Sequence, residues 1–96
     1  MSPPLLTRGE LEAALKGLPE WRVEEGVLRR DVQCVSFPSA IELVTRIAEV
    51  AEEMNHHPDI DIRWRTLHLS VVTHASGGLT RYDAELATRI DALAAD

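Results

Sequence analysis

The 96-residue chain is 45% hydrophobic and 27% charged, the profile of one globular domain over residues 1–96 with a single modest core. Its formal charge of −6 opposes nucleic-acid binding, which depends on Lys and Arg neutralising phosphates. One cysteine excludes an internal disulfide, no stretch nears the ~20 apolar residues of a membrane span, and Met1–Leu6 lacks the basic and apolar parts of a signal peptide. A cytoplasmic protein is expected, with neither nucleic acid nor membrane as partner.

Thr7 with Glu10 reads as a capping box opening a first helix, with Leu11, Ala14, Leu15 and Leu18 on one side and Gly17 and Pro19 at its end. Trp21–Glu24 reads as a strand, Glu25-Gly26 as a turn, and Val27 to Phe37 as a longer strand containing Cys34, a small buried hydrophobe. Pro38-Ser39 stops that strand, and Ser39 with Glu42 suggests a second capping box. The helix that follows carries Ile41, Val44, Ile47, Ala48, Ala51 and Met54 as its apolar stripe. Pro58 disfavours helical geometry at His57, so this helix ends at about His56-His57.

Ile60, Ile62 and Trp64 alternate with Asp61, Arg63 and Arg65 in a third strand. After a turn near Arg65-Thr66, Leu67, Leu69, Val71 and Thr73 share one face of a fourth, and His68, Ser70, Val72 and His74 the other. Gly77-Gly78 marks a turn, and Thr80 with Asp83 caps a last helix whose stripe is Tyr82, Leu86, Ile90 and Leu93. The order α-β-β-α-β-β-α predicts an α+β fold: a four-stranded antiparallel sheet with three helices mainly on one face.

Three of the four histidines stand at two junctions: His56-His57 at a helix end, and His74 at a strand end sixteen residues after Pro58. The adjacent pair has three readings. The imidazoles can cap free carbonyls at the helix end. They can bind a metal, although the i, i+4 and CxxC templates are absent and adjacent side chains diverge. They can also move protons or hold a polar ligand, because imidazole exists in both protonation states near neutral pH. The last reading requires the strand end to lie beside the helix end, so that His56, His57 and His74 face one cleft. Glu52, four residues before His56, is expected to orient that imidazole.

His68 shares a strand face with His74 but lies about 20 Å away along it, outside such a cleft. Trp21 and Trp64 are expected to pack in the core or between subunits, with a stacking wall for a flat ligand as the alternative. Asp83 reads as a first-turn acid rather than a ligand contact.

Taken together, Trp21, Ala51-Glu52-Glu53-Met54-Asn55-His56-His57-Pro58, Trp64, Thr73-His74, Gly77-Gly78-Leu79-Thr80 and Asp83 resemble the signature of the pterin-4a-carbinolamine dehydratases. The resemblance spans essentially the whole chain, and the His-His-Pro element combined with the later Thr-His is its specific part. It implies removal of water from 4a-hydroxytetrahydropterin to give quinonoid dihydropterin, without metal or organic cofactor. By matching position it makes His56 and His74 the acid–base residues and His57 chiefly a substrate contact. Asn55, Val72, Thr73 and Ala75 would line the pterin beside the histidines, and Glu52 would be the supporting carboxylate. It also implies a homodimer or homotetramer, and an aromatic-amino-acid hydroxylase as pathway partner. The chain differs from many relatives at Ala75, where they carry an acidic residue, and at Ile60, where they carry an aromatic one.

Two other functions compete. One is a dimerisation or coactivator-like module presenting the middle helix, which requires Val44, Ile47 and Ala51 to be exposed. The other is a pterin-binding protein with weak or no dehydratase activity.

Overall fold

The two stretches of alternating sequence fold into hairpins, and the hairpins join side by side. In the computed structural model, which describes residues 2–95, the elements are α1 (Arg8–Lys16), β1 (Arg22–Glu24), β2 (Val27–Gln33), α2 (Phe37–Met54), β3 (Asp59–Arg63), β4 (Thr66–Val71) and α3 (Arg81–Ala94), with a 3₁₀ turn at His74–Ser76. The strand order is β1-β2-β4-β3, and each neighbouring pair is antiparallel. The expected α+β order of elements is the observed one.

Register explains why the helices gather on one face. The pairs Leu28↔Val71, Val32↔Leu67, Ile60↔Leu69 and Ile62↔Leu67 turn apolar side chains to the same side, whereas Arg29↔Ser70, Asp31↔His68 and Asp61↔His68 turn polar ones to the other. Leu43 and Ile47 of α2 and Leu86, Ala87 and Ile90 of α3 close the core over the apolar side, with Leu11 and Leu15 of α1 packed against it. Burying each such Leu or Ile contributes about 1.5–3 kcal/mol relative to leaving it in water. Trp21 is buried as expected, and its indole N–H donates to Asp91 at 2.8 Å. The same carboxylate pairs with Arg30, tying the far end of α3 to the sheet.

Three local readings are corrected. β2 stops at Gln33 rather than reaching Phe37, because Ser36 is the N-cap of α2, accepting from the Ser39 backbone N–H, and Pro38 sits in the first turn, where its missing N–H costs nothing. The buried positions of α2 are Ala40, Leu43, Ile47 and Ala51, so Ile41 and Ala48 lie on the exposed side. Trp64 is not in the core. Arg63 pairs with Thr66, which leaves Trp64-Arg65 as the hairpin loop, and Trp64 takes φ 54° there and is 72% exposed beneath the Arg65 guanidinium. Alternation would turn Trp64 inward only if the strand continued past Arg63. The first hairpin behaves as read: Glu25 and Gly26 both take positive φ, the geometry that matches the twist of a two-residue connection.

Candidate active site

The end of α2 is built to turn its last residues away from the helix. Asn55 adopts the left-handed conformation (φ 49°, ψ 44°), and its N–H and that of His56 bond back to carbonyls of the final turn. Pro58 then forbids any return to helix. At the sheet, β4 ends at Val71, and Thr73 and Gly78 exchange backbone hydrogen bonds across the 3₁₀ turn that carries His74. Gly77 closes that turn at φ 75°, a conformation that suits glycine.

These two corners meet. They enclose a cavity of about 530 Å³ lined by Asn55, His56, His57, Val72, Thr73, His74 and Ala75, together with Pro3, Met54 and Tyr82. Its size falls within the ~300–1,000 Å³ usual for small-molecule sites. Every residue expected to line the cleft does so, while His68 lies on the open face of the sheet, bonded to Asp31 at 2.6 Å.

His56 is held from behind. Its Nε2 lies 2.6 Å from Oδ1 of Asp83, a residue with no solvent exposure. The second oxygen of Asp83 accepts from the Thr73 hydroxyl and from the Thr80 backbone N–H, each at 2.8 Å. The Thr73 hydroxyl in turn lies 2.8 Å from that of Thr80, which caps α3. With Thr73 donating to Asp83, the Thr80 hydroxyl donates to Thr73, and every group in this buried network is satisfied. Because three donors converge on it, Asp83 acts as an acceptor, and Nε2 of His56 is the donor. That leaves Nδ1 for a ligand.

This differs from the sequence reading in one pairing. Glu52, expected beside His56, lies beside His57, with Oε2 2.5 Å from its Nε2. The helix ends at Met54 and Asn55 reverses the backbone, so the i, i+4 geometry that would bring Glu52 to His56 does not extend that far. Asp83 is the capping acid that was expected, and it is also the partner of His56. Of the unforeseen residues, Asp83 gave a signal through its spacing from Thr80, and Met54 through its place in the stripe. Tyr82 likewise gave a signal through its place in the stripe of the last helix, and Pro3 gave none.

Among the described residues, no group of three or more His, Cys, Asp or Glu could hold a metal ion, and no helix is long and apolar enough to cross a membrane. A second cavity, of about 270 Å³, lies between the end of β2 and α2, with Cys34, Leu43 and Leu93 among its walls. Its charged residues, Glu42 and Arg46, bond to each other at 2.7 Å, and it contains no imidazole. Of these two cavities, it is the larger that brings imidazoles together.

Residues 4–93 match the family model described as pterin 4 alpha carbinolamine dehydratase. The chain belongs to that family. It is 50% identical over 94 residues to a Nocardia farcinica protein named "Putative pterin-4-alpha-carbinolamine dehydratase", covering 98% of this chain and 99% of that one. A Mycolicibacterium smegmatis protein of the same name is 47% identical over 92 residues, covering 96% and 98%. Among solved structures, a Brucella melitensis protein described as a transcriptional coactivator/pterin dehydratase superposes with a TM-score of 0.89 at 26% identity, covering 94% of this chain and 98% of that one. The dehydratase-family fold thus carries the histidine cavity at the meeting of α2, β4 and α3.

Proposed function

We propose that the protein dehydrates 4a-hydroxytetrahydropterin to quinonoid dihydropterin, with His56 and His74 as the acid–base pair and His57 as a substrate contact. Family membership supports the reaction. The observation that carries the residue assignment is the meeting of His56, His57 and His74 in one cavity from segments far apart in the chain.

The chemistry needs little beyond two proton carriers. The C4a–O bond breaks as an imidazolium donates a proton to the departing hydroxyl, which leaves as water. The N5 lone pair forms the C4a=N5 double bond, and a neutral imidazole accepts the N5 proton. One proton is given and one received, so the pair ends the turnover with its total proton count unchanged. Asp83 would fix the His56 ring and its tautomer, leaving Nδ1 turned to the substrate, as a buried carboxylate does for other catalytic imidazoles. Asn55, Val72, Thr73 and Ala75 would line the pterin, partly through backbone groups, and Glu52 would act on His57. No metal or organic cofactor enters this scheme.

Such assistance is typically worth ~10²–10⁴-fold in rate. Stopped-flow dehydration of a synthetic carbinolamine should show His56→Ala and His74→Ala each losing activity on that scale with the fold retained. Wild-type rates in both variants would rule out these roles. The reading also places an aromatic-amino-acid hydroxylase upstream, as the class of enzyme that forms a 4a-hydroxypterin.

The coactivator-like reading is not favoured by the middle helix. Ile47 and Ala51, which that reading requires to be exposed, are buried in the protein's own core. Phe37 and Ile41, one turn apart on α2, do remain exposed, and we assign them to contact with a second copy of the chain in a homodimer or homotetramer.

A further inference from the structure

The three cavity histidines are not held alike. Asp83 fixes His56 and the exposed Glu52 contacts His57, but no described residue hydrogen-bonds the His74 ring. His74 sits at the start of a three-residue 3₁₀ turn, so its position is set by its backbone. That backbone is tied to a segment near the start of the chain. The Ser2 hydroxyl donates to the Ala75 carbonyl at 2.9 Å, and the Ser76 hydroxyl donates to the Pro3 carbonyl at 2.5 Å. Further along, the Leu6 N–H donates to the Leu79 carbonyl at 2.9 Å. Leu5 packs so closely on Gly78 that a Cβ there would lie 3.1 Å from its side chain. Pro3 itself forms part of the cavity wall.

We propose that Ser2–Leu6 is a strap that completes the pterin pocket, with Pro3 as a wall and Ser2 and Ser76 as positioning residues for His74. This rests on the dehydratase reading of the same cavity. A turn held only by its own few hydrogen bonds would sample several positions for the imidazole, and proton transfer is sensitive to displacements of about 1 Å. The two serine contacts hold the turn at Ala75 and Ser76, the two residues directly after His74. The strap thus does for His74 what Asp83 does for His56, but through backbone instead of side chain.

The test is the kinetics of Ser76→Ala, of the double variant Ser2→Ala/Ser76→Ala, and of Ser76→Thr, which restores a hydroxyl. Expected are a fall in kcat of about tenfold in the double variant, a smaller fall in Ser76→Ala, and recovery in Ser76→Thr. The His74 ring resonances in NMR spectra of the free protein should shift and broaden in Ser76→Ala while those of His56 stay in place. Equal kcat in wild type and Ser76→Ala, with unmoved His74 resonances, would overturn the strap. If the double variant does not fold, Ser76→Ala and Ser76→Thr decide alone. A wild-type protein that fails to dehydrate the carbinolamine would sink the dehydratase reading instead, and the His74 resonances would still decide whether the strap positions that ring.

Discussion

Two adjacent histidines each face a carboxylate at nearly the same distance, yet the two pairs are physically unlike. His56–Asp83 measures 2.6 Å and His57–Glu52 2.5 Å. The Asp83 side chain is 1% exposed and that of Glu52 76%. A buried pair interacts in a medium of low effective dielectric and fixes its geometry, while an exposed pair competes with water and with the entropy of two mobile side chains. Distance alone would rank them equal. Burial decides between them, and it assigns His56 the rigid position and His57 the adaptable one.

The sharpest way to break this contrast is at Asp83. Asp83→Ala leaves the Thr80 N–H, the Thr73 hydroxyl and His56 without their shared acceptor, and should cost about 3–5 kcal/mol in urea unfolding. Asp83→Asn keeps the shape while replacing the carboxylate that accepts from His56 and orients its ring with an amide. It should lower kcat by roughly 10²–10⁴-fold, the range of acid–base assistance, with a smaller stability loss. A stable Asp83→Asn protein with wild-type kcat would show that the buried pair serves only the fold.

Next in size is Thr73→Val, which preserves the side-chain shape and deletes one donor to Asp83. A buried acceptor losing one bond should cost about 1–3 kcal/mol. If Thr73→Val is neutral in chemical denaturation, Asp83 is held by fewer contacts than the network implies. Glu52→Gln is the counterpart at the exposed pair. Its expected effect is under about 1 kcal/mol in stability. The rate should change by less than about tenfold, equivalent to ~1.4 kcal/mol in the barrier. A larger loss of activity from Glu52→Gln than from Asp83→Asn would reverse the ranking of the two pairs.

Much of this molecule is legible in its sequence because period and punctuation agree. Leu28, Val32, Leu67, Leu69 and Val71 alternate and do face the core, and Thr7 and Thr80 cap the helices they precede. Of the seven cleft residues, His56, His57 and His74 are readable because two turn signals, Pro58 and Gly77-Gly78, mark where the helix and the strand must end, while Asn55, Val72, Thr73 and Ala75 follow only from the family resemblance. What stayed hidden depends on where the backbone goes next. Glu52 was misassigned because sequence spacing assumes a helix that Asn55 terminates. Trp64 was misplaced because alternation cannot tell the last strand residue from the first loop residue. Asp83 announced one oxygen through its spacing from Thr80, but its second partner, His56, lies 27 positions away and leaves no local pattern.

A third pair extends the comparison to the open face of the sheet, where the smallest effect is expected. His68 Nδ1 lies 2.6 Å from Asp31, the same separation as the buried pair, and both side chains are nearly half exposed. The hydrogen bond from His68 holds the Asp31 carboxyl below its ordinary value, with a smaller contribution from Arg22 and some opposition from desolvation. Because the folded value is the lower one, the native state favours the carboxylate. The stabilisation is therefore present at neutral pH and disappears as pH falls through the ordinary value of about 4 to the depressed one. Solvent and salt screen so exposed a pair, so Asp31→Asn should cost only a few tenths of a kcal/mol at pH 7. Its urea midpoint should converge with that of the wild type once the pH has fallen below the depressed value and Asp31 is protonated. A difference that persists at acid pH, or reaches the size expected for Thr73→Val, would mean that distance rather than burial sets the strength of these pairs.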